Sequence, residues 1–248
     1  LLRNAFFFRH WGGFGSVLPG RSLLGRTCNE KLVGSASIPR PAGTVILKRG
    51  NDMNTLLTKG TIAPPVQFYP DFLNPADNLD WFTKSKALYW VRGEMTMYGK
   101  KIPVPREEAL FGDDFRYEYR GALIKAEPWP DFLLEARNRI QALCGLTFNF
   151  AVGNRYVTGK DSIGWHSDSF PQIGKRPAVA SLSLGSTRRF KLRHKASGEV
   201  VDYELESGSL LIMLPGCQEE WEHAVLKTAR PVGERINWTF RPHREAQL

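Results

Sequence analysis

Cysteine, histidine and long apolar runs are all scarce in this chain, and each scarcity narrows what it can be. The three cysteines, Cys28, Cys144 and Cys217, stand far apart. They have neither the spacing of a zinc site nor the even number of a disulfide framework. Free thiols in a reducing, intracellular compartment are expected, with Cys144 and Cys217 in or near a core. No stretch approaches about 18 consecutive apolar residues, so no membrane-spanning helix is expected. Acids are missing before Glu30, and residues 1–52 hold eight Lys/Arg against Glu30 and Asp52 alone. Most of the +9 formal charge therefore lies in that segment, since residues 53–248 hold 26 basic against 23 acidic side chains. The overall charge is thus a poor argument for nucleic-acid binding by the folded part, which must rest on local patches.

The first half-hundred residues are basic, Ser-bearing and acid-poor, the composition of an organelle transit peptide. A poorly ordered tail or non-native upstream sequence is the alternative, because Met53 can begin a chain. The expected division is an N-terminal extension over 1–65 and one domain over 66–248. With 42% hydrophobic residues the chain has ample material for one core.

Two helices are expected ahead of a β-rich remainder. Asn74-Pro75 is a helix start, followed by Leu79, Trp81, Phe82 and Leu88. Residues 130–143 carry Phe132, Leu133, Ala136, Ile140 and Leu143 on one face, and Gly145 ends that helix. From Thr147 the pattern becomes short strands broken by glycines: 147–157, 179–184, 189–194, 200–205, 209–214, 221–227 and 235–241. So many short strands in about 100 residues indicate a sandwich or barrel. The fold class is mostly β with flanking helices: a double-stranded β-helix, or jelly roll, over about 147–243. An N-terminal α/β decoration, including residues about 90–125, precedes it.

The chemistry starts from His166-Ser167-Asp168. Side chains two apart on an extended segment point the same way, so an imidazole and a carboxylate lie side by side. A second imidazole would complete the facial triad that leaves Fe(II) open positions. Only His10, His194, His223 and His243 remain. His194 sits among Lys191, Arg193 and Lys195, which disfavour a cation; His243 is in a polar tail and His10 in the basic extension. His166, Asp168 and His223 are the best triad. The open positions suit a bidentate oxo-acid and O2, and such an acid needs a fixed cation for its distal carboxylate. Arg235, Asn237, Thr239 and Arg241 share one face of a strand and offer two. Taken alone, the same face fits an edge strand with a solvated polar side.

Taken together, Asn154 and Tyr156 (N-x-Y), His166 and Asp168 (H-x-D), His223, and Arg235 and Arg241 (R-x5-R) resemble the AlkB family of 2-oxoglutarate/Fe(II) dioxygenases. Ala180–Gly185 and Gly208–Met213 are also similar to it. The likeness covers roughly residues 66–243. It implies iron at His166, Asp168 and His223, and 2-oxoglutarate held by Asn154, Tyr156, Arg235, Asn237 and Arg241. It also implies oxidative demethylation of nucleobases such as 1-methyladenine and 3-methylcytosine. O2 and 2-oxoglutarate are consumed, the N-methyl group is hydroxylated, and formaldehyde leaves with succinate and CO2 as co-products. The implied partner is nucleic acid, DNA before RNA, met by a monomer with no membrane attachment. The compartment is the nucleus, or a mitochondrion or chloroplast if the extension is a transit peptide. An RNA demethylase or an idle nucleic-acid binder of the same fold is the alternative.

Residues 97–113 resemble the nucleotide-recognition lid of the family's DNA-repair members. Tyr98 and Gly99 fall where an aromatic finger fills the gap left by a flipped base. Tyr117 and Tyr119 would line the pocket, Tyr119 stacking on the base opposite His166, a contact typically worth about 1–3 kcal/mol. Lys100, Lys101 and Arg106 flank the finger. Arg189, Lys191 and Arg193 share one side of a strand and are expected to meet phosphates. One departure stands out: Ser169-Phe170-Pro171 follows the H-x-D where repair members continue with acids that help select the base.

Overall fold

Strand alternation and two capped helices build this fold from local signals. The computed structural model describes residues 62–97, 100–113, 116–119, 122–168 and 173–243, with backbone only for 95–97, 116–119 and 122–124. Residues 1–61 of the expected extension over 1–65, together with Tyr98, Gly99 and Ser169–Pro171, lie outside the described residues.

After β1 (Val66–Tyr69), α1 (Pro75–Ala87) begins where the Asn74 side chain accepts from the backbone N–H groups of Ala76 and Asp77, both at 2.9 Å. Pro75 occupies the first turn, where its missing N–H costs nothing. Only Trp81 and Ser85, one turn apart, are buried on this helix. Leu79, expected on the apolar face, is exposed instead. Two residues from Trp81 is about 200° around the helix, which turns Leu79 away from the core that Trp81 enters.

The lid segment forms two small hairpins, β2 (Glu94–Met97) with β3 (Lys100–Pro103) and β5 (Arg116–Tyr119) with β6 (Ala122–Lys125). Between them β4 (Glu107–Gly112) joins the main sheet. The second helix, α2 (Asp131–Cys144), buries Phe132, Leu133, Ala136 and Ile140, while Leu143 in its last turn is exposed. Burying each large apolar side chain contributes roughly 1.5–3 kcal/mol. Gly145 ends the helix in the left-handed region at φ +69°, donating to Gln141 O at 2.8 Å.

The remaining strands are β7 (Phe150–Tyr156), β8 (Ile163–His166), β9 (Val179–Gly185), β10 (Arg188–His194), β11 (Val200–Leu205), β12 (Leu210–Met213), β13 (Trp221–Val225) and β14 (Arg235–Arg241). A short helix, α3 (Cys217–Glu220), precedes β13. The major sheet runs β1-β12-β9-β14-β7-β4 and the minor sheet β11-β10-β13-β8, every pairing antiparallel. Two facing antiparallel sheets are the expected jelly roll.

The two faces of the major sheet have different partners. Ile236, Trp238 and Phe240 of β14 join α1 and α2 in one core, with the Trp238 indole donating to Ser85 Oγ at 3.0 Å. A second core, including Val179, Leu192, Leu211, Trp221 and Val225, fills the space between the sheets. The alternate residues of β14 face that interior, where the site lies.

Candidate active site

Sheet register brings the distant histidines together. His166 on β8 is the cross-strand partner of His223 on β13, their rings 4.2 Å apart between centroids and tilted by 55°. Asp168 follows where the chain leaves β8, and its N–H donates to Gln218 Oε1 of α3 at 2.8 Å. One ligand atom from each of His166, Asp168 and His223 lies within 4.8 Å of the other two. Nδ1 of His166 is 2.8 Å from Gly164 O. A carbonyl only accepts, so Nδ1 carries the proton and Nε2 presents its lone pair.

The electrostatics suit a cation. Burial, with His166 adding to it, pushes the His223 imidazole down to about 3, so it is neutral at neutral pH. Burial also lowers His166, against the pull of Asp168. Burial alone would raise the Asp168 carboxyl, but Arg241 and the two imidazoles outweigh it and hold the group below its ordinary value. Two neutral imidazoles and one ionised carboxylate form the donor set of an Fe(II) facial triad.

The face of β14 that could have been solvated is interior. All seven residues of the strand are buried, because β14 lies between β7 and β9 at the centre of the sheet. That removes the edge-strand alternative. Arg235 is 1% exposed, its Nη2 donates to Ser183 Oγ at 2.8 Å, and it lies over the Tyr156 ring at 5.3 Å. Its Nε and Nη1 have no hydrogen-bond partner among the described residues. Desolvation lowers this guanidinium to about 10, yet it stays charged at neutral pH. A buried cation with two unmatched donors fits one carboxylate of a dicarboxylate.

Neighbouring groups are already engaged. Arg241 forks onto Asp168, Nε to Oδ2 at 3.0 Å and Nη2 to Oδ1 at 3.1 Å. It therefore steadies the proposed metal ligand, a role the spacing of the two arginines did not reveal. Asn237 donates to Ser181 Oγ and Leu182 O at 2.8 and 2.9 Å. Asn154 accepts from Arg106 Nε at 2.7 Å. Arg106 and its ion-pair partner Glu108 are both buried. These groups line one cleft with His166, Asp168, His223, Tyr156 and Phe190.

The expected substrate residues separate. Arg106 lines the cleft, Tyr98 and Gly99 lie outside the described residues, and Tyr117 and Tyr119 are placed on β5 by backbone only. The stripe of Arg189, Lys191 and Arg193 lies apart from these residues, on the other face of β10. Phe190 and Leu192 take the inward face of β10, so the stripe points away from the cleft. Each of its cations is paired: Arg189 with Asp202 and Glu204, Lys191 with Asp202, Arg193 with Glu222. The carboxylates come from β11 and β13, whose register with β10 a linear reading does not supply. Sequence reasoning also missed Glu108, Ser183 and Gln218; the Ser181-x-Ser183 alternation was the one available signal.

A jelly roll whose cleft gathers two histidines and an aspartate, the aspartate held by a buried arginine, has the build of an Fe(II)- and 2-oxoglutarate-dependent oxygenase. The sequence profile of the 2OG-Fe(II) oxygenase superfamily matches residues 65–241. The Mus musculus DNA oxidative demethylase ALKBH2 is 36% identical over 172 residues, which cover 66% of this chain and 70% of that protein. The Homo sapiens alpha-ketoglutarate-dependent dioxygenase alkB homolog 3 is 38% identical over 188 residues, 71% of this chain and 65% of that protein. The solved OsALKBH1 structure superposes with a TM-score of 0.53 at 19% identity, over 73% of this chain and 99% of that one, a likeness of fold. The chain belongs to the AlkB family of this superfamily.

Proposed function

We propose that the protein removes methyl groups from ring nitrogens of nucleobases in nucleic acid, DNA foremost, as a 2-oxoglutarate- and Fe(II)-dependent demethylase acting as a monomer. The observation that carries this is the convergence of His166, Asp168 and His223 within 4.8 Å in the same cleft as Arg241 and Asn154. The names of the two relatives, a DNA oxidative demethylase and an alpha-ketoglutarate-dependent dioxygenase, support the substrate class and the co-substrate.

In this reading His166, Asp168 and His223 hold the iron, which when bound supplies the site for oxidation of the methyl carbon. Arg235 takes the distal carboxylate of 2-oxoglutarate through its unmatched nitrogens, with Tyr156 stacked against it. Asn154 and Asn237 line the same wall, and Arg241 keeps Asp168 ionised and aimed. The second core closes the sides of the cleft and excludes water. Tyr117 and Tyr119 line the base pocket and Tyr98 and Gly99 form the wedge. Arg189, Lys191 and Arg193 reach phosphate only by exchanging their present carboxylate partners.

The test is formaldehyde release, with equimolar succinate, from oligonucleotides carrying 1-methyladenine or 3-methylcytosine in DNA and RNA, single- and double-stranded. Release from DNA is expected, lost in His166→Ala with the circular dichroism spectrum retained. Full activity in that variant would remove the metal assignment, and silence on every methylated substrate would remove the demethylase reading.

A further inference from the structure

Apart from Asp168, Glu108 supplies the only carboxylate that lines the cleft among the described residues. It is 3% exposed, and its Oε1 accepts from Arg106. Its Oε2 is buried with no hydrogen-bond partner among the described residues. Burial raises the Glu108 carboxyl against the pull of Arg106; leaving a polar oxygen unmatched in the interior is costly, so a donor from a ligand would gain more here than at a surface.

Two unmatched groups of opposite character stand on the major sheet. Arg235 on β14, next to the cleft-lining Tyr156, has two donors unmatched among the described residues and suits an anion, whereas the Glu108 oxygen suits a donor. Register places Glu108 on β4 beside Asn154 of β7, which in turn pairs with Asn237 of β14. Glu108 thus lies two strands from β14, about 10 Å away at ordinary strand spacing. It sits on the edge strand that directly follows the β2–β3 hairpin. The occupant beside it is then the substrate rather than the co-substrate, and it must bring a donor or a positive charge.

We propose that Glu108 is a specificity-determining residue, whose Oε2 accepts from the exocyclic amine of a cationic methylated base. This inference rests on the demethylase reading and deepens it. Methylation at N1 of adenine or N3 of cytosine gives a cation that carries an amine. Methylation at N3 of uracil or thymine gives a neutral ring flanked by carbonyls, which offers Oε2 no donor. Glu108 also supplies, from β4, an acidic group in the cleft of a chain whose H-x-D is followed by Ser169-Phe170.

Binding and turnover separate the two ideas. The full chain, loaded with Mn(II) and N-oxalylglycine, is titrated with 1-methyladenosine and with 3-methyluridine by calorimetry. The wild type is expected to prefer 1-methyladenosine, and Glu108→Gln to lower that preference by roughly 10- to 100-fold. Equal affinity of the wild type for both nucleosides overturns the inference without any variant. An unchanged preference in Glu108→Gln, or an equal loss for both nucleosides, overturns it as well and leaves Glu108 as support for Arg106. The same ratio is then read as kcat/KM on oligonucleotides carrying 3-methylcytosine or 3-methylthymine. Selective binding through Glu108 with no formaldehyde from any oligonucleotide sinks the demethylase reading and upholds the selectivity. Demethylation with the same base ratio in Glu108→Gln does the reverse.

Discussion

Arg235 shows what one residue contributes that its neighbours do not. Two of its three guanidinium nitrogens have no partner among the described residues, while Arg241 is committed to Asp168. Replacing Arg235 by Lys keeps the charge and loses the planar fork. The KM for 2-oxoglutarate should then rise about 10- to 100-fold, roughly 1.4–2.7 kcal/mol, with a smaller change in kcat. Succinate formation at varied 2-oxoglutarate measures this, and an unchanged KM would take the co-substrate away from Arg235. The histidines give a pH prediction. His223 is held near 3 against an ordinary 6.5, and His166 is also lowered. The folded metal-free protein therefore binds fewer protons than the unfolded chain below pH 6.5. Stability falls as pH drops from about 6.5 toward 3, and the depressed Asp168 adds in the same direction at the acid end. Thermal melts of the metal-free protein should show this decline, more shallowly in His223→Asn. A flat profile between pH 7 and 5 would contradict it.

At the level of elements, β14 carries the fold and the site on opposite faces. Its Trp238 packs directly on Gly153 of β7, where an added Cβ would lie 2.5 Å from Cζ3 of Trp238 and 2.8 Å from Cη2 of Trp90. Both rings are held, Trp238 by Ser85 Oγ and Trp90 by Ser85 O, so neither yields freely. Gly153→Ala should destabilise the protein by about 1–3 kcal/mol in urea denaturation. Asn154 is the next residue, so activity should fall with stability. A neutral effect would mean the rings move. The alternation of β14 was legible, since apolar and polar residues change places along it. Its central position was not, because solvent and an opposing sheet accept a polar face equally well in a one-dimensional pattern. The caps of α1 and α2 were legible in Asn74-Pro75 and Gly145, since capping is local chemistry. The exposure of Leu79 was not, as it depends on which side of α1 meets the sheet.

For the whole molecule, the distribution of charge decides where a polyanion can dock. The excess of positive charge lies mostly in residues 1–52, and the outer face of the minor sheet matches its three cations with Asp202, Glu204 and Glu222. Neutralising Lys191 should therefore leave the salt dependence of oligonucleotide binding nearly unchanged. A true phosphate contact would lower the slope of log K against log salt by about 0.7–0.9. Titrations between low and moderate salt distinguish the two. The lid carries the complementary prediction. If Tyr98 fills the gap left by an extruded base, Tyr98→Ala should lower kcat/KM on duplex DNA more than on single strands. Equal loss on both would end its role as a wedge.

By itself the sequence determined what depends on near neighbours: the helix caps, the strand alternation, and the pairing of His166 with Asp168 on one segment. The order of its motifs was also enough to point to the family. The tertiary structure decided everything that depends on which strands become neighbours. It placed His223 opposite His166, put β14 at the centre of the sheet, and turned Arg241 onto Asp168. It also paired the stripe on β10 with carboxylates of β11 and β13, and left one oxygen of Glu108 without a partner among the described residues. The physical reason is that alternation assigns a side chain to a face, while the charge and hydrogen bonds waiting on that face come from residues far away in the chain.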